Sequence, residues 1–178
     1  MKRSKRIIVV AHCILNANAK VGPLAMYPGV LREVMDRYIE DGTGILQLPC
    51  PESTYLGINR WGMCREQYDH PNFRRHCRTI LTQSVDQIET FIAAGYEICG
   101  IIGADGSPNC GVTKTPTGLM GGVIKDLDTV EAQLKNLRYT DGTGVFFTVL
   151  KLMLSDRKIS IKFMAIDEKN PSSLITTT

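Results

Sequence analysis

Three of the six cysteines in the chain close apolar runs that read as strands. They are Cys13 in Val9-Val10-Ala11-His12-Cys13, Cys50 in Leu46-Gln47-Leu48-Pro49-Cys50-Pro51-Glu52, and Cys110 in Gly106-Ser107-Pro108-Asn109-Cys110-Gly111. In an open α/β sheet the carboxyl ends of the strands meet at one crevice, so thiols far apart in sequence can converge there. No Cys-x-x-Cys pair occurs, which excludes the compact zinc-ribbon, thioredoxin and bacterial ferredoxin patterns. A metal site would have to be assembled by the fold. Residue chemistry alone leaves two readings open: three convergent thiolates, or three unrelated cysteines. Three soft thiolates without a histidine partner favour iron and sulfur over a hard cation. A four-iron cluster with three protein ligands keeps one iron open, and an open iron acts as a Lewis acid.

The elements that must position these residues can be read from periodicity. Lys5 to Ala11 reads as a buried strand, followed by the polar run His12 to Asn18. From Pro23 through Tyr38 apolar residues recur at spacings of three and four, which predicts a helix stopped by Gly42 and Gly44. Ile45 to Leu48 makes a second strand. Cys50 to His70 has no sustained period, and a long irregular segment of this kind is usually functional. Pro71 opens a helix that runs up to Gly95, and Tyr96 to Gly103 is a third strand buried on both faces. Asp105 to Gly122 reads as a second long loop, Leu127 to Leu137 and Thr143 to Leu154 as helices, Ile159 to Ile166 as a last strand, and the tail after Asp167 as loose. Alternating strands and helices predict one α/β domain over residues 1–178, a three-layer α/β/α sandwich with a mostly parallel, Rossmann-like sheet.

Composition narrows the function classes. With 43% hydrophobic residues the chain can bury a core without disulfides, and its longest apolar runs are too short to span a bilayer. A net charge of +3, with cations scattered except for a cluster between Arg60 and Arg78, argues against a nucleic-acid polymer as partner. The basic start lacks a cleavage site, so the expectation is a soluble, cytoplasmic chain whose cysteines stay reduced. Gly103-Ala104-Asp105-Gly106 fits neither phosphate-loop pattern. Cys99 and Cys77 read as small core residues, and Cys64 as a bystander in the irregular segment.

The strand with its first-turn Cys13, the Cys50-Pro51-Glu52 triplet and the Ser107-Pro108-Asn109-Cys110-Gly111 turn together resemble the thiouracil desulfidase (TudS) family and its related desulfidases. These segments span Val9 to Gly111. The resemblance implies a four-iron, four-sulfur (4Fe-4S) cluster held by Cys13, Cys50 and Cys110, with the fourth iron taking the sulfur of a thiolated nucleobase and releasing it as sulfide. It also places Glu52 and Ser107 as catalytic polar groups beside the open iron. Glu52 would deprotonate water and Ser107 would donate to the substrate, with Asp105, taken as substrate-binding, as a reserve acid or base in the same loop. The structural alternative for each is a local turn or cap. After Cys13 and after Glu52 the chain departs from the family pattern, with Ile14 to Asn18 and Ser53 to Arg60, so these loops are expected to shape substrate recognition.

Other residues carry weaker expectations. Arg60 and Arg65 suit planar oxygen acceptors, and Arg60 is taken as substrate-binding. His12, next to Cys13, hydrogen-bonds a cluster sulfur, touches substrate, or is a satisfied polar residue at a strand end. The partners expected are a small thiolated substrate, the iron–sulfur assembly machinery and a second copy of the chain in a homodimer, with no membrane. Two rival readings stay open: a non-catalytic metal-binding or redox-sensing module, and a metal-free nucleotide-binding α/β domain.

Overall fold

A computed structural model describes residues 2–171 and 174–177. In chain order the elements are β1 (Arg6–Val10), α1 (His12–Leu15), α2 (Arg32–Glu40), β2 (Gly44–Gln47), α3 (Pro51–Leu56), α4 (Arg65–Tyr68), α5 (Pro71–Ala93) and β3 (Glu97–Ala104). They continue with β4 (Lys114–Thr117), α6 (Leu127–Leu134), β5 (Arg138–Asp141), α7 (Val145–Asp156), β6 (Phe163–Ile166) and β7 (Leu174–Thr177). The main sheet has the order β2-β1-β3-β6-β7, and its first four strands are parallel. This is the α/β, Rossmann-like architecture expected from the alternation of strands and helices.

The chain runs from β1 out to β2 on one side and then returns to β3 on the other, so the strand order reverses at β1 and β3. Right-handed crossovers then put α2 on one face and α5 with α7 on the opposite face. The packing of α5 against α7 agrees with this. Ile8, Val9, Val10, Ile101 and Ile102 are fully buried between the layers, with Leu81, Val85 and Ile88 of α5 and Phe146, Phe147 and Leu150 of α7.

Four boundaries differ from expectation. The helix expected from Pro23 begins only at Arg32. Pro28 bars its predecessor from helical backbone and has no N–H to donate, so Leu24, Met26 and Val30 stay exposed while Leu31, Val34 and Met35 are buried. The chain from Ala17 to Leu31 is instead tied back to the first turn, by Ala17 N–H to Gly29 O at 2.8 Å and Leu31 N–H to Ile14 O at 2.9 Å. The segment Cys50 to His70 holds the short helices α3 and α4, too brief to show a period. The loop after Asp105 contains β4, which pairs antiparallel with β5. The tail after Asp167 is not loose throughout, because β7 pairs antiparallel with β6. Cys99 is half-buried, beside an irregularity in the β1–β3 register between Ile7 and Ile8, whereas Cys77 and Cys64 are buried.

Candidate functional site

Each of the three cysteines sits just beyond a strand of the parallel sheet. Cys13 lies in the single turn of α1, where Ala11 N–H still bonds to Ile102 O at 2.8 Å and so extends the β1–β3 pairing up to the turn. Cys50 is the N-cap of α3. Pro51 at the first helical position has no N–H to satisfy, and the Cys50 sulfur accepts from Ser53 N–H at 3.4 Å. Cys110 is held by Ser107, whose Oγ accepts from the amides of Cys110 at 3.0 Å and Asn109 at 3.3 Å.

The Cys110 loop packs so closely on the sheet that two glycines are obligatory. A Cβ on Gly103 would stand 2.3 Å from Cys110 O and 2.5 Å from the Phe147 ring, and one on Gly144 would stand 2.4 Å from the Asn109 carbonyl carbon. Side chains cannot be accommodated at such distances without moving backbone.

The three sulfurs lie within electrostatic reach of one another. Burial pushes the Cys13 thiol up to about 12, with Glu168 adding to the rise, Lys20 opposing it, and Cys50 and Glu52 raising it further. Burial also holds Cys110 well above the usual thiol range, reinforced by Cys13, Cys50, Glu52 and Cys77. Cys13, Cys50 and Cys110 thus lie near one another at the switch point of the sheet, Cys110 buried and Cys13 and Cys50 half-buried. A bound metal reverses this logic, since a coordinating thiol gives up its proton outright. Among the described residues no three His, Cys, Asp or Glu side chains are grouped to hold a metal ion. A cluster of several irons is wider than one ion and takes ligands spread further apart. The soft, histidine-free donor set suits iron and sulfur.

Glu52 occupies the first turn of α3, two residues from Cys50. Asn109 Nδ2 donates to its Oε1 at 3.0 Å and Arg60 Nε to its Oε2 at 3.1 Å. Arg60 is 4% exposed and Glu52 14%, so this pair is buried. Arg60 also donates to Ala19 O at 2.7 Å and Gly57 O at 3.1 Å, which fastens the loop after α3 to the turn after α1. Asn109 therefore joins Glu52 to the neighbour of Cys110, while its own Oδ1 is buried without a hydrogen-bond partner. The Tyr68 hydroxyl is buried beside Glu52, and burial followed by that carboxylate raises its pKa.

The remaining expected residues are placed as follows. Ser107 Oγ spends its lone pairs on two amides, which leaves its proton as the one thing it can offer elsewhere. Asp105 serves its own loop: Oδ1 accepts from the amides of Val112 at 2.8 Å and Thr113 at 2.9 Å, and Oδ2 accepts from the Thr113 hydroxyl. Its bonds are those of a loop organiser rather than of a substrate contact. The His12 ring meets Asn16 Nδ2 at 3.4 Å, and its carbonyl accepts from Gln47 Nε2 at 2.9 Å. Arg65 is engaged with Thr143 O and Asp69, outside this group.

Sequence reasoning missed a second polar group beside Cys13. Glu168 follows β6, pairs with Lys20, and accepts from the Tyr27 hydroxyl at 2.9 Å. The same hydroxyl is 3.0 Å from Cys13 O. Lys20 and Glu168 are 14% and 12% exposed, and the Lys20 ammonium lies 5.7 Å from the Tyr27 ring centre. The signal was available, because Glu168 stands just past a parallel strand as the cysteines do. Lys20, Tyr27 and Arg60 share an open groove of about 800 Å³ between the Ala17–Pro28 segment and Ile58–Arg60.

No family model matches the chain, and no solved structure matches it. It is similar to the uncharacterized protein MJ0003 of Methanocaldococcus jannaschii, with 33% identity over 137 residues that cover 77% of this chain and 87% of that protein. No helix among the described residues is long and apolar enough to cross a membrane. At this identity and coverage, the chain belongs to the same family as the archaeal protein MJ0003.

Proposed function

We propose that this protein is an iron–sulfur-dependent desulfidase, an enzyme that replaces the sulfur of a thiocarbonyl by the oxygen of water. The observation that supports this reading is that Cys13, Cys50 and Cys110, from the ends of three strands, lie within electrostatic reach of one another and of Glu52. Cys13, Cys50 and Cys110 would hold a 4Fe-4S cluster. When bound, that cluster supplies a Lewis-acidic iron with affinity for sulfur. The overall conversion is balanced without electrons: thiocarbonyl and water give carbonyl and hydrogen sulfide.

The chain's own residues divide the remaining work. Glu52, fixed by Arg60 and Asn109, is the group positioned to take a proton from water. Because both of its oxygens are already bonded, its direction is set before substrate arrives. Ser107, with its lone pairs occupied, acts as a hydrogen-bond donor and not as a base. Burial of the Cys110 thiol and of the Glu52–Arg60 pair limits the water around the reacting atoms.

The test is anaerobic iron and sulfide analysis on reconstituted wild type and on Cys13→Ser, Cys50→Ser and Cys110→Ser, followed by assay of sulfide release from thiouracil. About four irons per chain are expected in wild type, with loss in every variant. Glu52→Gln is expected to keep its iron and lose about 100-fold in sulfide release. Wild type that binds no iron under these conditions overturns the reading.

A further inference from the structure

Beyond the carboxyl end of α7, residues 157–162 turn into β6 and leave a second pocket, of about 520 Å³, against Phe163, the first residue of that strand. This is the amino end of the parallel strands, whereas Cys13, Cys50 and Cys110 follow carboxyl ends, so the pocket shares no residue with the cysteine turns. Its volume falls in the range of small-molecule sites. Leu154, Ile159 and Phe163 give it an apolar wall, and Lys151, Lys158, Ser155 and Ser160 bring polar groups to it.

The two lysines are cations without a counter-charge. Lys151 is half-buried, donates to Thr143 Oγ1 at 3.1 Å, and places its ammonium 4.9 Å from the centre of the Phe163 ring. Thr143 Oγ1 gives its own proton to Val112 O, so a lone pair meets the ammonium, which keeps two N–H groups for another acceptor. Burial alone lowers the Lys151 pKa, with no charged neighbour to offset it. The carboxylates at this end of α7 are committed elsewhere: Asp156 faces Arg78, and Asp86 and Glu89 hold Arg157. Among the described residues no carboxylate pairs with Lys151 or Lys158. Lys158 also stands on left-handed backbone, at φ 59°, just past the helix end where glycine is usual. Its N–H closes on Ser155 O and that of Ile159 on Leu154 O, both at 2.9 Å, so this conformation is built into the end of the helix. A lysine there strains the backbone where a glycine would not, and adds a charge to the pocket.

We propose that this pocket is a second ligand site, and that it takes a phosphate monoester carried on an apolar body. The phosphate would lie on Lys151 and Lys158, and the apolar body against Leu154, Ile159 and Phe163. Two ammonium groups match the charge of the dianion, and lysine binds phosphate as a point charge without demanding a fixed geometry. The exposed hydroxyls of Ser155 and Ser160 add neutral donors at the rim. Such a ligand supplies the missing negative charge and breaks no ion pair of the fold. The site does not depend on the desulfidase reading.

Phenyl phosphate is the probe, titrated calorimetrically into the full chain. Saturable binding is expected, about tenfold tighter than that of inorganic phosphate because the ring is buried as well. Lys151→Met keeps an apolar stem over Phe163 and is expected to weaken phenyl phosphate about tenfold, and Lys158→Gly about fivefold. Glycine takes the left-handed turn freely, so Lys158→Gly is expected to melt no lower than wild type, and its weaker binding then reports the lost charge and not the fold. Cys13→Ser is expected to bind phenyl phosphate as wild type does. Absence of saturable binding, or binding unchanged in both lysine variants, overturns the inference. Inorganic phosphate binding as tightly as phenyl phosphate overturns the apolar half of the site, and loss of binding in Cys13→Ser overturns the whole, because the ligand would then lie at the cysteine turns.

Discussion

The stretch from Ala104 to Val112 and the stretch from Thr117 to Asp141 follow one another in the chain and are built by opposite rules. In the first, nearly every polar group is committed: Asp105 gathers the Val112 and Thr113 amides, Ser107 caps Asn109 and Cys110, and Gly103 and Gly144 allow the backbone to press against the sheet. In the second, α6 has no buried residue, and Met120, Val123, Ile124 and Leu127 are all more than half exposed. The first has one conformation because many short-range bonds and steric limits agree. The second is fastened mainly by the β4–β5 ladder and a few polar ties such as Gly118 N–H to Glu66. The comparison teaches that rigidity in this molecule is concentrated where the thiols are held, as a preorganised site requires.

The contrast can be broken most sharply at Gly103. Gly103→Ala is expected to cost about 4 kcal/mol in urea denaturation, since both Cys110 O and Phe147 would have to move; a cost near zero would show that the Cys110 loop is soft. Arg60→Met comes next, at about 3 kcal/mol, because it leaves the Glu52 carboxylate buried beside Asn109 without its cation. The double variant with Glu52→Gln is expected to recover much of that loss, which a purely steric role of Arg60 would not allow.

Alkaline pH sharpens the picture on the helix behind the site. Burial raises the Cys77 thiol from near 9 to about 12. The folded state then holds this proton more tightly than the unfolded chain does, so the stability it contributes is complete below pH 9 and is lost as pH rises towards 12. Stability is expected to fall there by about 1.4 kcal/mol per pH unit more in wild type than in Cys77→Val. The smallest effect belongs to the exposed stretch. Leu127→Lys on α6 is expected to change stability by less than about 0.5 kcal/mol, and a cost of several times that would mean that α6 is covered.

Some of this is legible in the sequence alone. Pro71 and the long apolar face behind it mark α5 to within two residues at its end, since Gly95 terminates it for a conformational reason that sequence displays. The strands β1, β2 and β3 are legible from short β-branched runs, and the placement of Cys13, Cys50 and Cys110 follows from their position after those runs. Pro28 overrode a periodic pattern that otherwise suits a helix from Pro23, because one missing N–H and one restricted predecessor outweigh several well-spaced apolar residues. β4, β5 and β7 were hidden, being strands of four residues whose partners lie far along the chain or beyond a loop.

The sequence by itself determined the residue types and the strand ends that carry them: soft thiols, a carboxylate two residues after Cys50, and a serine in the Cys110 turn. Only the tertiary structure decided how charge is distributed around them. Lys20 and Glu168 are 148 residues apart and Asn109 and Glu52 are 57 apart. No local pattern links such pairs, because the energy of a buried ion pair depends on the water that both partners lose together, and that is settled when the sheet, its loops and the chain after β6 close on the same spot.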